Sequence, residues 1–426
     1  MKFDFLSTKK ASAYEAIDSH QWYQWTWQLQ HRLTQKEDFE KVFNLSSDEI
    51  KGFEQLKSIF KVSTTPYYAS IAAQIEESNS VAKKNQSNFM NPLKRIMLPH
   101  VLEVEAGEQQ MLDPLAEETH SHGQNLIHRY SDRVLFLVTD TCSVYCRFCT
   151  RKRFTGQDEG FINSNEYQKA LSYIRSHPGI REVIFSGGDP LTLSNSLLDR
   201  VLSDIRSIEH IEIIRIGSRM PVVCPMRIDE DLCKIMRRYA PVYMMSHFSH
   251  PKELTLEARQ ALTLLVDHGI PVLNQMVLLN GVNNNAAIIQ ALNRRLLYLR
   301  VKPYYMFQCD PSEGTDHLRT TVESSEEIMR EMWGHLSGLA MPTLSLDIPS
   351  GGGKTTLVPN FMVSASKGVR EFVGWDSRKG IYRDPKVEML KPSDVGDYEH
   401  EWEELKNAKN NLSIDHQMGL PIEAVK

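Results

Sequence analysis

Three cysteines lie close together, at Cys142, Cys146 and Cys149, directly after the apolar run 134–138. Three thiolates on one short loop can bind three irons of a cubane [4Fe–4S] cluster and leave the fourth iron without a protein ligand. A zinc site would need another Cys or His pair at its own fixed spacing, whereas the other cysteines are scattered singly, at Cys224, Cys233 and Cys309. The loop therefore favours a cluster with one iron open to a small molecule.

A second segment with possible chemistry is 347–356, in which Lys354 follows three glycines. Gly-Lys-Thr is typical of phosphate-binding loops, but the Walker A spacing needs glycine at position 348, where this chain has isoleucine. The segment therefore does not indicate an NTPase. Since glycines leave room around the amine, Lys354 could instead form a Schiff base with pyridoxal phosphate. A solvated lysine on a flexible turn is the alternative.

A third candidate is the turn that contains Gly187, Gly188 and Asp189. Glycines let a ligand approach the backbone, and the carboxylate can accept hydrogen bonds from an ammonium or a hydroxyl. Taken alone, however, Gly-Gly-Asp is more typical of a tight turn. His247, after a later apolar run, would by itself be read as a core histidine with satisfied nitrogens. Neither feature is specific without its structural context.

The elements that must position these residues alternate along the chain. Apolar runs that predict buried strands occur at 134–138, 182–185, 211–216, 242–245, 271–278, 303–307 and 343–346. Segments with helical periodicity lie between or after them, at 165–176, 196–208, 229–239, 254–268, 285–299 and 324–339. This alternation predicts an α/β protein with parallel strands and helical crossovers, arranged as a full or partial (β/α) barrel. The candidate residues follow strand ends, which meet at one mouth of such a barrel. A doubly wound open sheet is the alternative architecture.

Composition sets further limits on the class of protein. A chain of 426 residues with 41% hydrophobic residues can bury a large core. The first twenty residues lack an apolar signal-peptide core, and no stretch approaches the length of a membrane span. Six cysteines are too few for a disulfide scaffold, so we expect a cytoplasmic protein. The net charge of −5 gives no electrostatic basis for nucleic-acid binding.

We expect three parts along the chain. Residues 1–113 form a helical N-terminal region, in which Ser46 and Glu49 make a capping-box pattern before a helix at 50–60. Residues 114–360 form the partial barrel. Residues 361–426 form a C-terminal extension, whose charged segment 394–411 is predicted to be a solvated helix or tail.

The spacing Cys-x3-Cys-x2-Cys after the first barrel strand resembles that of the radical S-adenosylmethionine enzymes. The resemblance implies that the open iron chelates S-adenosylmethionine, whose reductive cleavage yields a 5′-deoxyadenosyl radical. Over about 91–360 the chain is similar to one family of these enzymes, the lysine 2,3-aminomutases, which also use pyridoxal phosphate. The similarity runs through Asn91-Pro-Leu, Asp113-Pro-Leu-Ala-Glu117, His128-Arg-Tyr-Ser-Asp-Arg133, the segment 142–153, Ile216-Gly-Ser-Arg219, His247-Phe-Ser-His250, Pro303-Tyr-Tyr305, Gln308-Cys-Asp310, His317-Leu-Arg-Thr320 and Gly351-Gly-Gly-Lys-Thr355.

The resemblance also implies roles for single residues. Lys354 corresponds to the lysine that carries pyridoxal phosphate. Arg151 corresponds to the arginine that binds the substrate α-carboxylate, and Asp310 and Asp347 to the acids that hold the distal ammonium of lysine. The remaining implied cofactor-binding residues are the phosphate group Arg129, Tyr130 and Arg133, the glycine-rich turn Gly187, Gly188 and Asp189 at the amino group of S-adenosylmethionine, His247 at its nucleoside, and Gln275.

The implied reaction is the interconversion of L-lysine and L-β-lysine by an isomerase. Related glutamate aminomutases lack the acidic pair, so both aspartates favour a basic substrate, and arginine would also suit them. The segment Ser186-Gly-Gly-Asp-Pro190-Leu is also similar to shorter enzymes that modify a lysine of elongation factor P. A protein lysine side chain is therefore an alternative substrate.

The resemblance carries expectations about partners as well. We expect a small amino acid substrate, an electron donor such as flavodoxin or ferredoxin, and a homo-oligomer, with no nucleic-acid or membrane partner. The best-known lysine 2,3-aminomutases have a structural zinc site that uses C-terminal cysteines, but no cysteine follows Cys309 here. The resemblance therefore does not extend to that site, which leaves the subunit arrangement open.

Overall fold

The computed structural model of the chain describes residues 3–55, 60–82, 91–105, 107, 109–123, 125–157, 160–386 and 395–410. The helices of the N-terminal region are α1 (Ser19–Trp22), α2 (Trp25–Gln30), α3 (Lys36–Glu40), α4 (Ser47–Gln55), α5 (Pro66–Ala82) and α6 (Pro92–Met97). Helix α4 begins with the predicted capping box. The Ser46 N–H donates to Glu49 Oε2 (2.7 Å), and the Glu49 N–H donates to Ser46 Oγ (3.2 Å). Residues 56–59 of the helix predicted at 50–60 lie outside the described residues.

Nine strands form the main sheet in the order β1 (Leu126–Tyr130), β2 (Arg133–Thr139), β3 (Glu182–Gly187), β4 (Ile213–Gly217), β5 (Val242–Ser246), β6 (Val272–Leu278), β7 (Lys302–Gln308), β8 (Thr343–Ile348) and β9 (Gly353–Thr356). Strands β2 to β8 are parallel, and β1 and β9 pair antiparallel at the two edges. Spatial neighbours are also neighbours in sequence, which is the order of a (β/α) barrel rather than of a doubly wound sheet. The partial barrel and all seven predicted strands are confirmed.

Helices cross from each parallel strand to the next. They are α7 (Ser164–Ser176), α8 (Asn195–Arg206), α9 (Met220–Val223), α10 (Glu230–Arg238), α11 (Leu256–Asp267), α12 (Ala286–Tyr298) and α13 (Val322–Met332). All six predicted helices are present, and the short α9 is additional. Helix α13 ends before the predicted position 339, because Gly334 takes φ +81° just beyond it. Each of the six predicted helices has an Asn, Ser, Asp or Thr residue at its N-cap, whose side chain accepts a hydrogen bond from a backbone N–H of the first turn.

Alternation along the strands separates the core from a central cavity. In β6, Val272, Met276 and Leu278 are buried in the core, whereas Gln275 and Val277 line the cavity. The same period of two recurs in β3 and β4. Because the parallel strands point the same way, the loops after them meet at one end of the half-barrel.

The two edge strands were not predicted from the sequence. Strand β9 is Gly-Lys-Thr-Thr, and β1 is short and half polar, so neither shows an apolar strand pattern. Although no backbone pairing joins these edges within the described residues, they approach each other at one point. There the Lys354 N–H donates to the Tyr130 hydroxyl (3.2 Å). The edges of the sheet therefore contribute side chains to the same place.

Beyond the barrel, the strands β10 (Met362–Ser366), β11 (Val369–Val373) and β12 (Lys379–Arg383) form a separate antiparallel sheet. Side chains of β10 and β12 are exposed, and those of β11 are mostly half-buried. Helix α14 (Asp397–Asn410) covers most of the charged segment predicted at 394–411, whose residues 394 and 411 lie outside the described residues. Among the described helices, none combines the length and apolar character that crossing a membrane requires.

Candidate active site

One cavity of about 800 Å³ lies inside the half-barrel and reaches the loops after its parallel strands. Lys354 and the cysteine loop, which are far apart in sequence, both line it. The residues that the sequence analysis assigned to the site all line this cavity: Cys142, Cys146, Cys149, Arg129, Tyr130, Arg133, Arg151, Gly187, Gly188, Asp189, His247, Gln275, Asp310, Asp347 and Lys354. The fold thus brings the cysteine loop, the glycine-rich turn and the lysine loop into one chamber.

The cysteine loop is held against the N-terminal region. The Tyr145 N–H donates to Ser63 O (3.1 Å), and the Arg147 N–H donates to Ile96 O (2.8 Å). The fully buried Arg147 side chain also donates through Nε to both carboxylate oxygens of Glu103 (2.9 and 3.1 Å). Since a buried charge without its partner is costly, this pair fixes the loop. The N-terminal region, predicted only as helical, therefore supports the cysteines.

The three cysteines of the loop are free of disulfides and partly buried. Burial raises the pKa of the Cys142 and Cys149 thiols, and neighbouring cysteines add to the rise. Thiols with a raised pKa stay protonated when no metal is bound. Binding of iron would displace the proton, because the thiolate is the ligand. Within the described residues, no three or more His, Cys, Asp or Glu side chains are arranged to hold a single metal ion. A cubane instead takes one thiolate at each of three irons, which suits this donor set.

Arg219 contacts the cysteine loop, and its residue type had not indicated a role. Its Nη1 donates to Cys146 Sγ (2.8 Å), while Nη2 donates to the Tyr68 hydroxyl (2.9 Å) and to Glu253 Oε1 (2.7 Å). Burial alone would lower the pKa of Arg219, but Cys146, Tyr68 and Glu253 outweigh burial and raise it. A permanent cation therefore lies beside a cysteine of the loop. Its position just after β4 is the only sequence signal for this role.

The glycine-rich turn is required by the backbone around it. A Cβ at Gly187, where φ is +120°, would lie 2.1 Å from Thr139 O, and one at Gly188 would lie 2.2 Å from Thr141 O. Only glycine lets the ends of β2 and β3 approach so closely. The two glycines therefore shape the start of the cysteine loop as well as lining the cavity.

Asp189 uses its carboxylate within the protein. Oδ1 accepts from Ser218 Oγ (2.7 Å) and the Leu191 N–H (3.0 Å), and Oδ2 accepts from the Arg219 N–H (2.8 Å). Burial raises the pKa of Asp189 despite these donors. The side chain thus holds the loop after β4 in place and so positions Arg219.

His247 presents an unused nitrogen. Burial, with a contribution from Arg219, lowers the pKa of His247 to about 3, so its ring is neutral. Its Nε2 is buried and has no hydrogen-bond partner within the described part of the chain. The ring stacks on Phe148, with centroids 5.5 Å apart. A neutral ring with an available nitrogen suits contact with a nucleoside, as expected for S-adenosylmethionine.

Lys354 forms an ion pair with an acid of the neighbouring strand. It lies opposite Asp347 in the β8–β9 register, and its Nζ is 3.1 Å from both carboxylate oxygens. The same Nζ is 4.9 Å from the centroid of the Phe307 ring. Pairing across two short edge strands therefore fixes where the amine lies in the cavity.

Asp310, in the loop after β7, has a carboxylate oxygen that is free to accept a hydrogen bond. Burial, and then the nearby Asp347, raises the pKa of Asp310 to about 7. Its Oδ1 is buried and accepts no hydrogen bond from the described residues. Because a buried acceptor without a donor is costly, this atom marks a place where a ligand donor would bind.

The predicted phosphate group lies on the β1–β2 hairpin. Arg129 donates through Nη1 to Leu115 O (3.2 Å), while its Nη2 is buried without a partner among the described residues. The Arg133 guanidinium lies over the Tyr130 ring, 4.1 Å from its centroid. A Cβ at Gly353 would come within 3.9 Å of Arg129 Nη2 and 3.8 Å of the Tyr130 hydroxyl. Gly353, where φ is +88°, thus brings the Lys354 backbone beside an unsatisfied guanidinium, and an anionic phosphate suits that group.

Arg151 is paired with Glu117, an acid to which the sequence analysis assigned no role. Nε lies 3.0 Å from both carboxylate oxygens of Glu117, and Nη2 lies 2.6 Å from Oε1. Burial alone would lower the pKa of Arg151, but Glu117 reverses this effect and raises it. Glu117 ends the segment Asp113-Pro-Leu-Ala-Glu117, in which a glutamate by itself does not indicate which residue it binds.

Comparisons with known proteins identify the family. Residues 136–291 match the Radical SAM superfamily, and residues 329–418 match the Lysine-2,3-aminomutase family model. The L-lysine 2,3-aminomutase of Fusobacterium nucleatum subsp. nucleatum is 40% identical over 82% of this chain and 80% of its own length. That of Clostridium subterminale is 40% identical over 85% and 84%. The Glutamate 2,3-aminomutase of Clostridioides difficile is 37% identical over 80% and 78%.

The cofactors of this family are a [4Fe–4S] cluster, S-adenosylmethionine and pyridoxal 5′-phosphate. The side chains of the cavity suit all three groups: three thiols on one loop, a neutral histidine with a free nitrogen, and a lysine beside an unsatisfied arginine. The half-barrel, the shared cavity and the similarity over most of the chain agree. The chain therefore belongs to the lysine 2,3-aminomutase family of radical S-adenosylmethionine enzymes and is an isomerase of the aminomutase class.

Proposed function

We propose that this protein interconverts L-lysine and L-β-lysine by a pyridoxal-phosphate-dependent 1,2-amino migration. The single observation that carries the choice of lysine is the buried, unsatisfied Oδ1 of Asp310 near a second acid, Asp347. Two carboxylates in a partly dry site attract a cation and repel an anion. The distal ammonium of lysine satisfies both acids, whereas the distal carboxylate of glutamate would be repelled.

The substrate is held at both ends in this proposal. Arg151 binds the α-carboxylate, for which a guanidinium offers a fixed pair of donors, and Asp310 and Asp347 bind the distal ammonium. Holding both ends leaves the β-carbon one position inside the cavity, which raises the chance of reaction at that carbon alone. The apolar and aromatic lining residues, among them Phe307 and Val277, exclude water from it.

Lys354 is the proposed attachment point of the coenzyme. Arg129, Tyr130 and Arg133 hold the phosphate, in the cavity that these residues line together with Lys354. Pyridoxal phosphate, when bound, would supply the aldehyde carbon to which the amino nitrogen of the substrate is attached while that nitrogen migrates between neighbouring carbons. Asp347 pairs with the Lys354 amine at 3.1 Å and orients it in the protein without coenzyme. Once that amine carries the coenzyme, the Asp347 carboxylate would be available to the distal ammonium of the substrate.

The opposite end of the cavity holds the radical source in this proposal. Cys142, Cys146 and Cys149 bind the cluster, while the glycine-rich turn, His247 and Gln275 bind S-adenosylmethionine. Together these groups, when bound, supply the radical that removes a hydrogen from the β-carbon. Arg219 stays charged beside Cys146 and balances the negative charge of the thiolates.

The organisation of the chain is also part of the proposal. We propose the division 1–113, 114–360 and 361–426, and a homo-oligomer in which the last part contacts another subunit. The sheet β10–β12 supports this, because it leaves apolar side chains exposed, among them Val363, Trp375 and Ile381 at 54, 55 and 66%. A flavodoxin or ferredoxin as reductant, and a cytoplasmic location, complete the proposal.

The test is to incubate the reduced, S-adenosylmethionine-supplied enzyme separately with lysine, arginine and ornithine and to identify β-amino products. We expect β-lysine as the main product. A β-amino product from arginine alone would move the proposal to a different basic amino acid. Turnover of a lysine-containing polypeptide, with free lysine unchanged, would replace it by protein modification.

A further inference from the structure

One short segment before the barrel contacts three separate parts of the site. We name residues 113–120 the acidic strap, because they include Asp113, Glu117 and Glu118. At one point the strap meets the loop before Lys354, where Pro114 O accepts from the Ser350 N–H (3.0 Å).

At a second point the strap meets the predicted phosphate group, since Leu115 O accepts from Arg129 Nη1 (3.2 Å). At the third point Glu117 binds Arg151, just after the cysteine loop. The acidic strap thus contacts three parts of the site that the proposed reaction requires: the loop before Lys354, the predicted phosphate group and Arg151.

The contact between Glu117 and Arg151 uses one defined edge of the guanidinium. Nε and Nη2 face the carboxylate, whereas Nη1 lies 3.3 Å from Ser186 Oγ on the cavity wall. Exposure is low, at 20% for the Arg151 side chain and 9% for Glu117. An arginine has five N–H donors in a rigid plane, so a carboxylate bound at one edge determines where the other edge points. The Nη1 side is left for a second carboxylate.

The neighbouring acids of the strap bind Arg153, which lies 3.8 Å from Glu117 Oε2 as well. Glu118, whose side chain is 75% exposed, binds Arg153 at 3.1 Å, and Asp113 binds Arg153 at 3.0 Å. Of these acids only Glu117 makes a hydrogen bond to Arg151, from a position where both side chains line the cavity. Glu118 therefore provides a matched control, because it is adjacent in sequence and equal in charge but lies outside the cavity lining.

We propose that Glu117 is a positioning residue that clamps Arg151 by its Nε edge, so that the Nη1 edge is presented to the α-carboxylate of the substrate. The acidic strap also sets this carboxylate site at a fixed separation from Lys354, because the same segment holds the loop before Lys354. This inference rests on the proposed function, in which Arg151 binds the α-carboxylate. Glu117 does not itself touch the reacting atoms.

The test compares two ligands that differ only in the carboxylate, L-lysine and 1,5-diaminopentane. The enzyme, loaded with cluster and coenzyme and kept oxidised so that it does not turn over, is titrated with each amine while the visible absorbance of the coenzyme is followed. Kd values are compared for the wild type, Glu117→Gln, Glu117→Asp and Glu118→Gln. Iron and coenzyme contents are measured for each protein.

We expect the wild type and Glu118→Gln to bind lysine more tightly than 1,5-diaminopentane. In Glu117→Gln the Kd for lysine should rise about tenfold, as expected for loss of a charged hydrogen bond, while the Kd for 1,5-diaminopentane stays unchanged. Glu117→Asp keeps the negative charge on a shorter side chain, so its Kd for lysine should lie between those of the wild type and Glu117→Gln. If the Gln variant loads coenzyme poorly, the Asp variant carries the comparison.

Two outcomes would overturn the inference while leaving the proposed function intact: an unchanged Kd for lysine in Glu117→Gln, or tighter lysine binding there, which would mean that Glu117 competes with the substrate. Equal losses for both amines would mean a general structural role and would also overturn it. A wild type that shows no preference for lysine would instead contradict the assignment of Arg151, and with it the proposed function.

Discussion

The two ends of the cavity are built in opposite ways. The cysteine end uses one loop, in which Cys142, Cys146 and Cys149 are neighbours in sequence, and its support comes from the N-terminal region through Glu103 and Ser63. The lysine end is assembled from the β1–β2 hairpin, the loop after β7, and the β8–β9 pair. The first end is one local motif held by contacts with distant residues, whereas the second joins the segment 351–354 to residues from other parts of the chain.

The two ends also differ in how charge is balanced. At the cysteine end, Arg147 and Arg219 each bind a buried carboxylate, that of Glu103 and of Glu253. At the lysine end, Arg129 Nη2 and Asp310 Oδ1 are buried and find no partner among the described side chains and backbone groups. Unsatisfied buried groups are costly and are retained where a ligand satisfies them. His247 Nε2 and Arg219 Nε, at the cysteine end, are likewise buried without a partner among the described residues. Both ends therefore keep groups for a ligand, and the cysteine end differs by its two buried arginine–carboxylate pairs.

Removing one functional residue from each end should give the largest effect. Lys354→Ala should abolish turnover and remove the visible absorbance of the coenzyme, while iron content stays at the wild-type value. Cys146→Ala should also abolish turnover, but through loss of iron with coenzyme still attached. Iron analysis and absorbance spectra check both. Loss of iron and coenzyme together in either variant would contradict two independently built ends.

The next largest effect is expected from Asp310→Asn at the lysine end. A neutral amide cannot balance the substrate ammonium, so kcat/KM for lysine should fall by about 100-fold, as for a broken buried ion pair. Cluster content should not change. Asp231→Asn, whose side chain is 79% exposed, is the control and should behave as wild type. An unchanged kcat/KM in Asp310→Asn would exclude this residue as the ammonium partner.

At the cysteine end, Glu103→Gln should act on stability. Arg147 would then be buried without its counter-charge, so the free energy of unfolding should fall by about 3 kcal/mol. Denaturant unfolding measures this change, and iron content should fall more than coenzyme content. The exposed pair of Arg300 and Asp267 gives the control, since Asp267→Asn should change stability by less than about 1 kcal/mol. Equal losses in the free energy of unfolding for the two variants would contradict the special role of the buried pair.

The smallest effect is a pH dependence of lysine binding. Since the pKa of Asp310 is about 7, its carboxyl is neutral below that pH and anionic above it. The affinity for the lysine cation should therefore fall as pH decreases through 7, by about tenfold between pH 8 and pH 6. Titration of the oxidised enzyme with lysine across this range measures it. Asp310→Asn should flatten the profile, and a profile that keeps its inflection would assign the pKa to another group.

The sequence predicted the barrel well because its strands are short apolar runs that helices cover on the outside. All seven parallel strands and six crossover helices follow from this pattern, with boundaries that differ by a few residues except at α13. The edge strands β1 and β9 were missed, since Arg129, Tyr130 and Lys354 are polar residues without an apolar strand signal. These strands form because they pair with β2 and β8.

The types and spacing of the cysteines, and the lysine after three glycines, determined by themselves which chemistry this protein could support. Only the tertiary structure decided the partners of the charged groups: Glu117 on Arg151, Glu103 on Arg147, and Asp189 as a support for Arg219. The physical reason is that thiolate spacing is a property of one loop, whereas ion pairing depends on distances between residues that the chain brings together only when the sheet folds.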